Sequence, residues 1–204
     1  MASKMLFPLF LLSVLTFYPP SITAQITDGS GNIVDNGGLF YILPRIFSQG
    51  GGIRRIKTGN ETGSFSVVQS PLEVDLGLRL RISSPFRVTF IPEGPVSISF
   101  VDDTVGDNSL KWTAVEVLDE GTFVKVGYQN SIAGYFVIQR GSSANTTKLS
   151  FCIIGGSLCG NVAIVEDEAG NRLLAVNQKK AYEFILTPVP QPRLNEPLSM
   201  KTGA

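Results

Sequence analysis

The chain contains no histidine among its 204 residues. That absence removes Ser-His-Asp and Cys-His nucleophilic sites, the histidine-based zinc motifs and the commonest general base. Cysteine is almost as scarce, at two residues, Cys152 and Cys159. Their spacing is not Cys-x-x-Cys, and two thiols are too few for a metal set, so no metal or cofactor is expected. Net charge is missing too: 17 basic residues balance 17 acidic ones and are scattered, which leaves no footprint for nucleic acid. The Gly-rich stretch "SQGGGIRR" (48–55) lacks the Gly-Lys-Ser/Thr ending of a phosphate loop, and no helical pattern follows it. Carboxylate pairs such as Asp102 and Asp103 could in principle serve a glycosidase, but adjacent acids in a polar turn read as solvated loop. These absences weigh against an enzyme.

Long apolar runs are lacking except at the start. Lys4 precedes an apolar run from Met5 to Phe17, Pro19 and Pro20 break it, and Ala24 closes a small-residue cleavage site. A bilayer span needs about 20 apolar residues, so this run reads as an export signal. The expected organisation is a signal peptide over 1–24, one domain over 25–187, and a Pro-rich, disordered tail over 188–204. The mature form is expected to be soluble, without a membrane segment, and monomeric.

Helical periodicity is nearly absent, and short alternating runs stand in its place. They are "GLFYIL" (38–43), "FSVVQ" (65–69), "LRLRIS" (78–83), "VSISFV" (96–101), "TAVEVL" (113–118), "FVKVG" (123–127), "YFVIQR" (135–140), "KLSFC" (148–152), "NVAIVED" (161–167), "RLLAV" (172–176) and "YEFIL" (182–186). Short strands with turn residues between them predict an all-β sandwich or barrel. In the third run Leu78, Leu80 and Ile82 are expected on one face, with Arg79 and Arg81 on the other. "ITDGSGN" (26–32) and "VEDEAGN" (165–171) echo each other, each with an Asp followed three residues later by Gly-Asn. That is turn chemistry: Asp and Asn suit tight turns and Gly supplies positive φ.

In "FCIIGGSLCG" the two cysteines flank a Gly-Gly turn and read as a disulfide clipping a hairpin or loop. So short a loop is worth about 2.5 kcal/mol in the chain-entropy account. Two Asn-x-Thr sequons, at Asn60 and Asn145, are candidate glycosylation sites, and Asn145 lies in the more polar loop, "RGSSANTTK".

One stretch, "RISSPFRVTFIPEG" (81–94), allows two readings. On a half-buried strand, alternation would turn Arg87 outward and Phe86 and Val88 inward. On an exposed loop, Arg87 would be displayed for recognition by a partner.

The order of blocks bears on that choice. "ITDGSGNIVDNGGLFYILP", "GGGIRRIKTGNET" with "FSVVQSP", "LRISSPFRVTFIPEG", and "KLSFC" with "LCGNVAI" together resemble the plant Kunitz-type protease inhibitors, the soybean trypsin inhibitor family, from about Ile26 to Leu186. The resemblance implies a β-trefoil of twelve strands in three pseudo-repeats. It also implies inhibition of trypsin-like serine proteases through a substrate-like loop of Ser84, Pro85, Phe86, Arg87, Val88 and Thr89, with Arg87–Val88 as the reactive bond. Asn36 matches the family's spacer asparagine, which supports the loop from inside. The family carries two disulfides. At the positions matching the first stand Gly63 and Gly106, so only the second bridge is implied here. A secreted or vacuolar location goes with the family. The alternative is a non-inhibitory trefoil, a storage or defence protein or a binder of carbohydrate or protein.

Overall fold

A computed structural model of the chain describes residues 24–58, 64–102, 110–117, 121–156 and 159–190. Almost all of the expected leader, the Asn60 sequon, Gly63, Gly106 and all but the first residues of the expected tail lie outside them. The first four strands are β1 (Leu39–Pro44), β2 (Ile53–Ile56), β3 (Phe65–Gln69) and β4 (Leu80–Ser83). The next four are β5 (Gly94–Phe100), β6 (Trp112–Val117), β7 (Gly121–Val126) and β8 (Gly134–Arg140). The last four are β9 (Thr147–Ile153), β10 (Cys159–Glu166), β11 (Arg172–Asn177) and β12 (Glu183–Pro188).

Their antiparallel pairings close two rings. β1, β4, β5, β8, β9 and β12 pair in that order and β12 returns to β1, which makes a six-stranded barrel without a free edge. The hairpins β2–β3, β6–β7 and β10–β11 meet through β3–β7, β7–β11 and β11–β3 pairs, a triplet that caps one end of the barrel. Three four-strand units around one axis are the β-trefoil. Because β1 leads into the triplet and β4 returns antiparallel to β1, the β4–β5 connection lies at the opposite, open end. The β8–β9 connection shares that end by the same logic, as do the segments before β1 and after β12.

The barrel strands alternate as one-sided strands must, with Phe40, Ile42, Leu80, Ile82, Ile98 and Ile138 among the side chains turned inward. Full burial of one such side chain contributes about 1.5–3 kcal/mol relative to exposure. Trp112 from β6 joins this core between Phe100 (ring centroids 5.9 Å apart) and Phe136 (6.2 Å), and Phe136 in turn meets Phe151 at 5.1 Å. Beneath the triplet the buried Gln69 donates from Nε2 to the carbonyls of Gln49 and Gly51 and to the Tyr182 hydroxyl, while its Oε1 accepts from Arg172. Its polar ends are therefore satisfied, as burial demands.

The echo noted in the sequence is an echo in space. Asp28 accepts from the N–H groups of Ser30 and Asn32 and from the Asn32 amide. Asp167 does the same with Ala169 and Asn171. Gly31 and Gly170 each take the positive φ that closes the turn.

Two expectations are corrected. β2 was not anticipated as a strand: "IRRI" is four residues long, follows three glycines and shows little alternation. Leu78 does not share the buried face of Leu80 and Ile82; it is 37% exposed. The chain is not yet in the sheet there, because Gly77 takes φ +78° against the Ile53 backbone and the Leu78 N–H donates to the Ile53 carbonyl. At the other end β12 runs through Pro188, one residue past the expected boundary, and the Val189 N–H still bonds the Leu39 carbonyl.

Candidate reactive loop

Strand β4 ends at Ser83, and the chain from Ser84 to Phe90 crosses the open end of the barrel before β5 begins at Gly94. The half-buried-strand reading of this stretch fails. Phe86 is 55% exposed and Val88 42%, and Pro85, Arg87 and Thr89 are exposed as well, so inward and outward faces do not alternate. The Val88 N–H donates to the Phe86 carbonyl at 3.0 Å, a three-residue turn with Arg87 at its apex. Among the described residues the exposed Arg87 has no hydrogen bond or ion pair.

Asn36 holds this loop from beneath. Its Oδ1 accepts from the Ser84 N–H at 2.7 Å, and its Nδ2 donates to the carbonyls of Phe86 (3.3 Å) and Val88 (3.0 Å). Its own N–H donates to the Thr89 carbonyl at 2.8 Å. One residue therefore bonds the loop at four points, and its amide straddles the Arg87–Val88 bond. The Asn-Gly-Gly sequence makes this possible. Gly37 takes φ +81° and donates to the Ile82 carbonyl, and a side chain at Gly38 would stand within 2.7 Å of the Phe40 ring. Ser84 is buried, and its hydroxyl accepts from the Phe86 N–H at 3.3 Å.

The far side of the loop is held by parts the sequence did not point to. The segment before β1 folds into a small hairpin through a Thr27–Ile33 bridge and lies along residues 89–93. Ile26 N–H donates to the Ile91 carbonyl, Ile91 N–H to the Val34 carbonyl, and Glu93 N–H to the Ala24 carbonyl. Ile26, Val34 and Ile91 are buried together beneath this zipper. Glu93 Oε1 also accepts from the Arg140 N–H at 2.7 Å, which ties the loop's exit to the end of β8. The signal in the sequence is "ITDGSGNIV", whose turn chemistry and place in the family's opening block do not show that it packs along the loop.

The remaining sequence candidates lie elsewhere. Cys152 and Cys159 face each other in the β9–β10 register and are disulfide-bonded, toward the triplet end of the barrel. Asn145 stands in the β8–β9 connection with φ +57°. Asp102 forms an ion pair with Arg55 at 2.7 Å, and Asp103 lies outside the described residues. Among the described residues no group of three or more acidic, cysteine or histidine side chains is placed to hold a metal.

Comparison with known proteins fits this geometry. A family model of legume Kunitz proteins, described as trypsin and protease inhibitor, matches residues 26–187. Trypsin inhibitor A of Glycine max is 38% identical over 188 residues, covering 86% of this chain and 87% of its own. Chymotrypsin inhibitor ECI of Erythrina variegata is 38% identical over 176 residues, covering 82% of this chain and 98% of its own. Among solved structures, a complex of porcine pancreatic trypsin with soybean trypsin inhibitor matches with a TM-score of 0.74 at 37% identity, over 81% of this chain and 99% of that one.

Proposed function

Since the chain belongs to the legume Kunitz family of trypsin and protease inhibitors, we propose that it inhibits trypsin-like serine proteases by presenting Arg87–Val88 as a bond that is bound tightly and released slowly. The observation that carries this reading is the Asn36 amide, bonded to a carbonyl on each side of that bond beneath an exposed arginine.

Relatives in the family are named for trypsin and for chymotrypsin, so the loop's own residue has to set the choice. An arginine suits a specificity pocket with a carboxylate at its base, where a fork of N–H donors and a fixed positive charge are both used. The protease serine attacks the Arg87 carbonyl, and the Val88 nitrogen is the leaving group. In an ordinary substrate that amine diffuses away. Here Val88 and Thr89 remain tied through their carbonyls to Asn36, and residues 91 and 93 to the N-terminal hairpin. The amine is kept at the acyl group, so reformation of the peptide competes with hydrolysis. A loop already ordered before binding also loses little entropy in the complex, which favours affinity. The non-inhibitory alternative gives no role to so constrained a loop. An oxidising destination, extracellular or vacuolar, accords with the Cys152–Cys159 bridge.

Titration of trypsin with the mature protein tests the reading directly. Stoichiometric loss of activity is expected, and Arg87→Leu should weaken it by at least ~100-fold while improving inhibition of chymotrypsin-like enzymes. Unchanged trypsin inhibition by Arg87→Leu would remove the bond from the mechanism.

A further inference from the structure

We propose that Asn145 is an N-glycosylation site, carrying an oligosaccharide at the open end of the barrel, and that Thr147 is kept for this modification rather than for the fold. The β8–β9 connection is a tightly bonded loop in which nearly every polar group has a task. Gly141 N–H donates to the Thr146 carbonyl, Ser142 donates from its N–H and its hydroxyl to Glu183, and the Thr146 hydroxyl donates to the Ser143 carbonyl at 2.7 Å. Among the described residues the Ser143 hydroxyl and the larger Asn145 side chain are left over, and Asn145 stands apart. It is half-buried, and its side-chain amide makes no hydrogen bond among the described residues. Its neighbour across the loop is Gly31, kept as glycine by its φ of +87°, and a Cβ there would stand in ordinary contact with the amide, 3.4 Å from its nitrogen.

Left-handed backbone alone does not explain the motif, because Gly would serve that conformation as well. Thr147 is the discriminating residue. It is the first residue of β9, 1% exposed, and its hydroxyl is buried without a partner among the described residues. Such a group destabilises a fold, and valine would fill a strand position without it. The Thr146 hydroxyl has structural work to do, and the Thr147 hydroxyl has none among the described residues. An Asn-x-Thr acceptor does require that hydroxyl, and it is read before folding. The transfer forms a bond between the Asn145 amide nitrogen and the first sugar of an oligosaccharide carried on a polyprenyl diphosphate. The sugar–phosphate bond breaks, the lipid diphosphate leaves, and the amide loses one proton.

The proposal rests on the secretory route, and its test is independent of inhibition. The full chain is expressed through the secretory pathway of a plant or yeast cell, then treated with a peptide-N-glycosidase in heavy-oxygen water. The Asn145 peptide is expected as aspartate carrying the heavy label. Asn145→Gln and Thr147→Val should both abolish it, and Thr147→Val should melt no lower than the parent. Unmodified Asn145 in protein whose Cys152–Cys159 bridge has formed overturns the proposal. Reduced cysteines with no sugar overturn the secretory route instead. A lower melting temperature for Thr147→Val overturns the argument from Thr147.

Discussion

Asn36 gives this loop, within one side chain, both an acceptor for Ser84 and donors to Phe86 and Val88. That division makes the residue separable by substitution. Asn36→Ala removes all three side-chain bonds, each worth about 1 kcal/mol when neutral. Asn36→Asp keeps the acceptor for Ser84 but sets a carboxylate against two carbonyl oxygens. Both variants should fold, and trypsin should cut both at Arg87–Val88 ~10-fold faster than the parent, a difference of about 1.4 kcal/mol in barrier. Mass spectrometry of timed samples reads that rate, and equal lifetimes would dismiss Asn36 from the mechanism. In the sequence "DNGG" shows only a turn asparagine, since turn chemistry and loop support call for the same residue type. The likeness to a family supplied the support role, and only the fold shows that the amide straddles the bond. Arg87 was ambiguous for a related reason: alternation in "SPFRVTF" looks like a strand, and Asn36 draws the backbone bonds that a neighbouring strand would otherwise take.

Strands were legible where a run of strand-forming residues lasts five residues or more, and obscure where it does not. "FSVVQ" stands as β3 with the bounds its pattern suggests, whereas β2 is too short to show a period. Leu72, Val74, Leu76 and Leu78 are apolar and exposed, on a connection shaped by Asp75 and Gly77 rather than by burial. Asp75 is held below the ordinary carboxylate range by the Ser70 hydroxyl, the Gly77 N–H and Arg54, and Glu183 by the Ser142 hydroxyl and N–H, Thr146 and Arg45. Both groups bind protons more weakly folded than unfolded. Their stabilisation is present above the ordinary values of 3.8 and 4.5 and is lost as pH falls through the lowered ones. Melting temperatures measured from pH 6 to pH 2 should fall less steeply for an Asp75→Asn, Glu183→Gln double variant than for the parent; parallel curves would refute the assignment. The β9–β10 clip makes a separate contribution. Replacing Cys152 and Cys159 with alanine should cost about 2.5 kcal/mol, a drop of roughly 5–10 °C in Tm. Because the bridge lies toward the triplet, trypsin inhibition at 25 °C should not change; a weaker inhibitor would mean that the bridge also shapes the loop.

At the scale of the molecule, the Arg87–Val88 bond falls between the first four-strand unit and the second. The chain has two cysteines, both C-terminal to it, so no bridge spans the cut. Prolonged exposure to trace trypsin should yield two bands on a denaturing, non-reducing gel, one of them ending at Arg87. In native buffer the pieces should elute together, held by the β4–β5, β1–β12, β3–β7 and β3–β11 pairs and by the N-terminal hairpin along residues 89–93. A single band after long exposure would show that the loop is never cut; separate elution would show that strand pairing alone does not hold the halves. The nicked molecule is in effect a heterodimer of its own fragments, and its persistence follows mass action. An intact chain dilutes without consequence. A nicked one, brought below the dissociation constant of its halves, comes apart and is not repaired by the protease that cut it, so the working life of a used inhibitor depends on how concentrated it is kept.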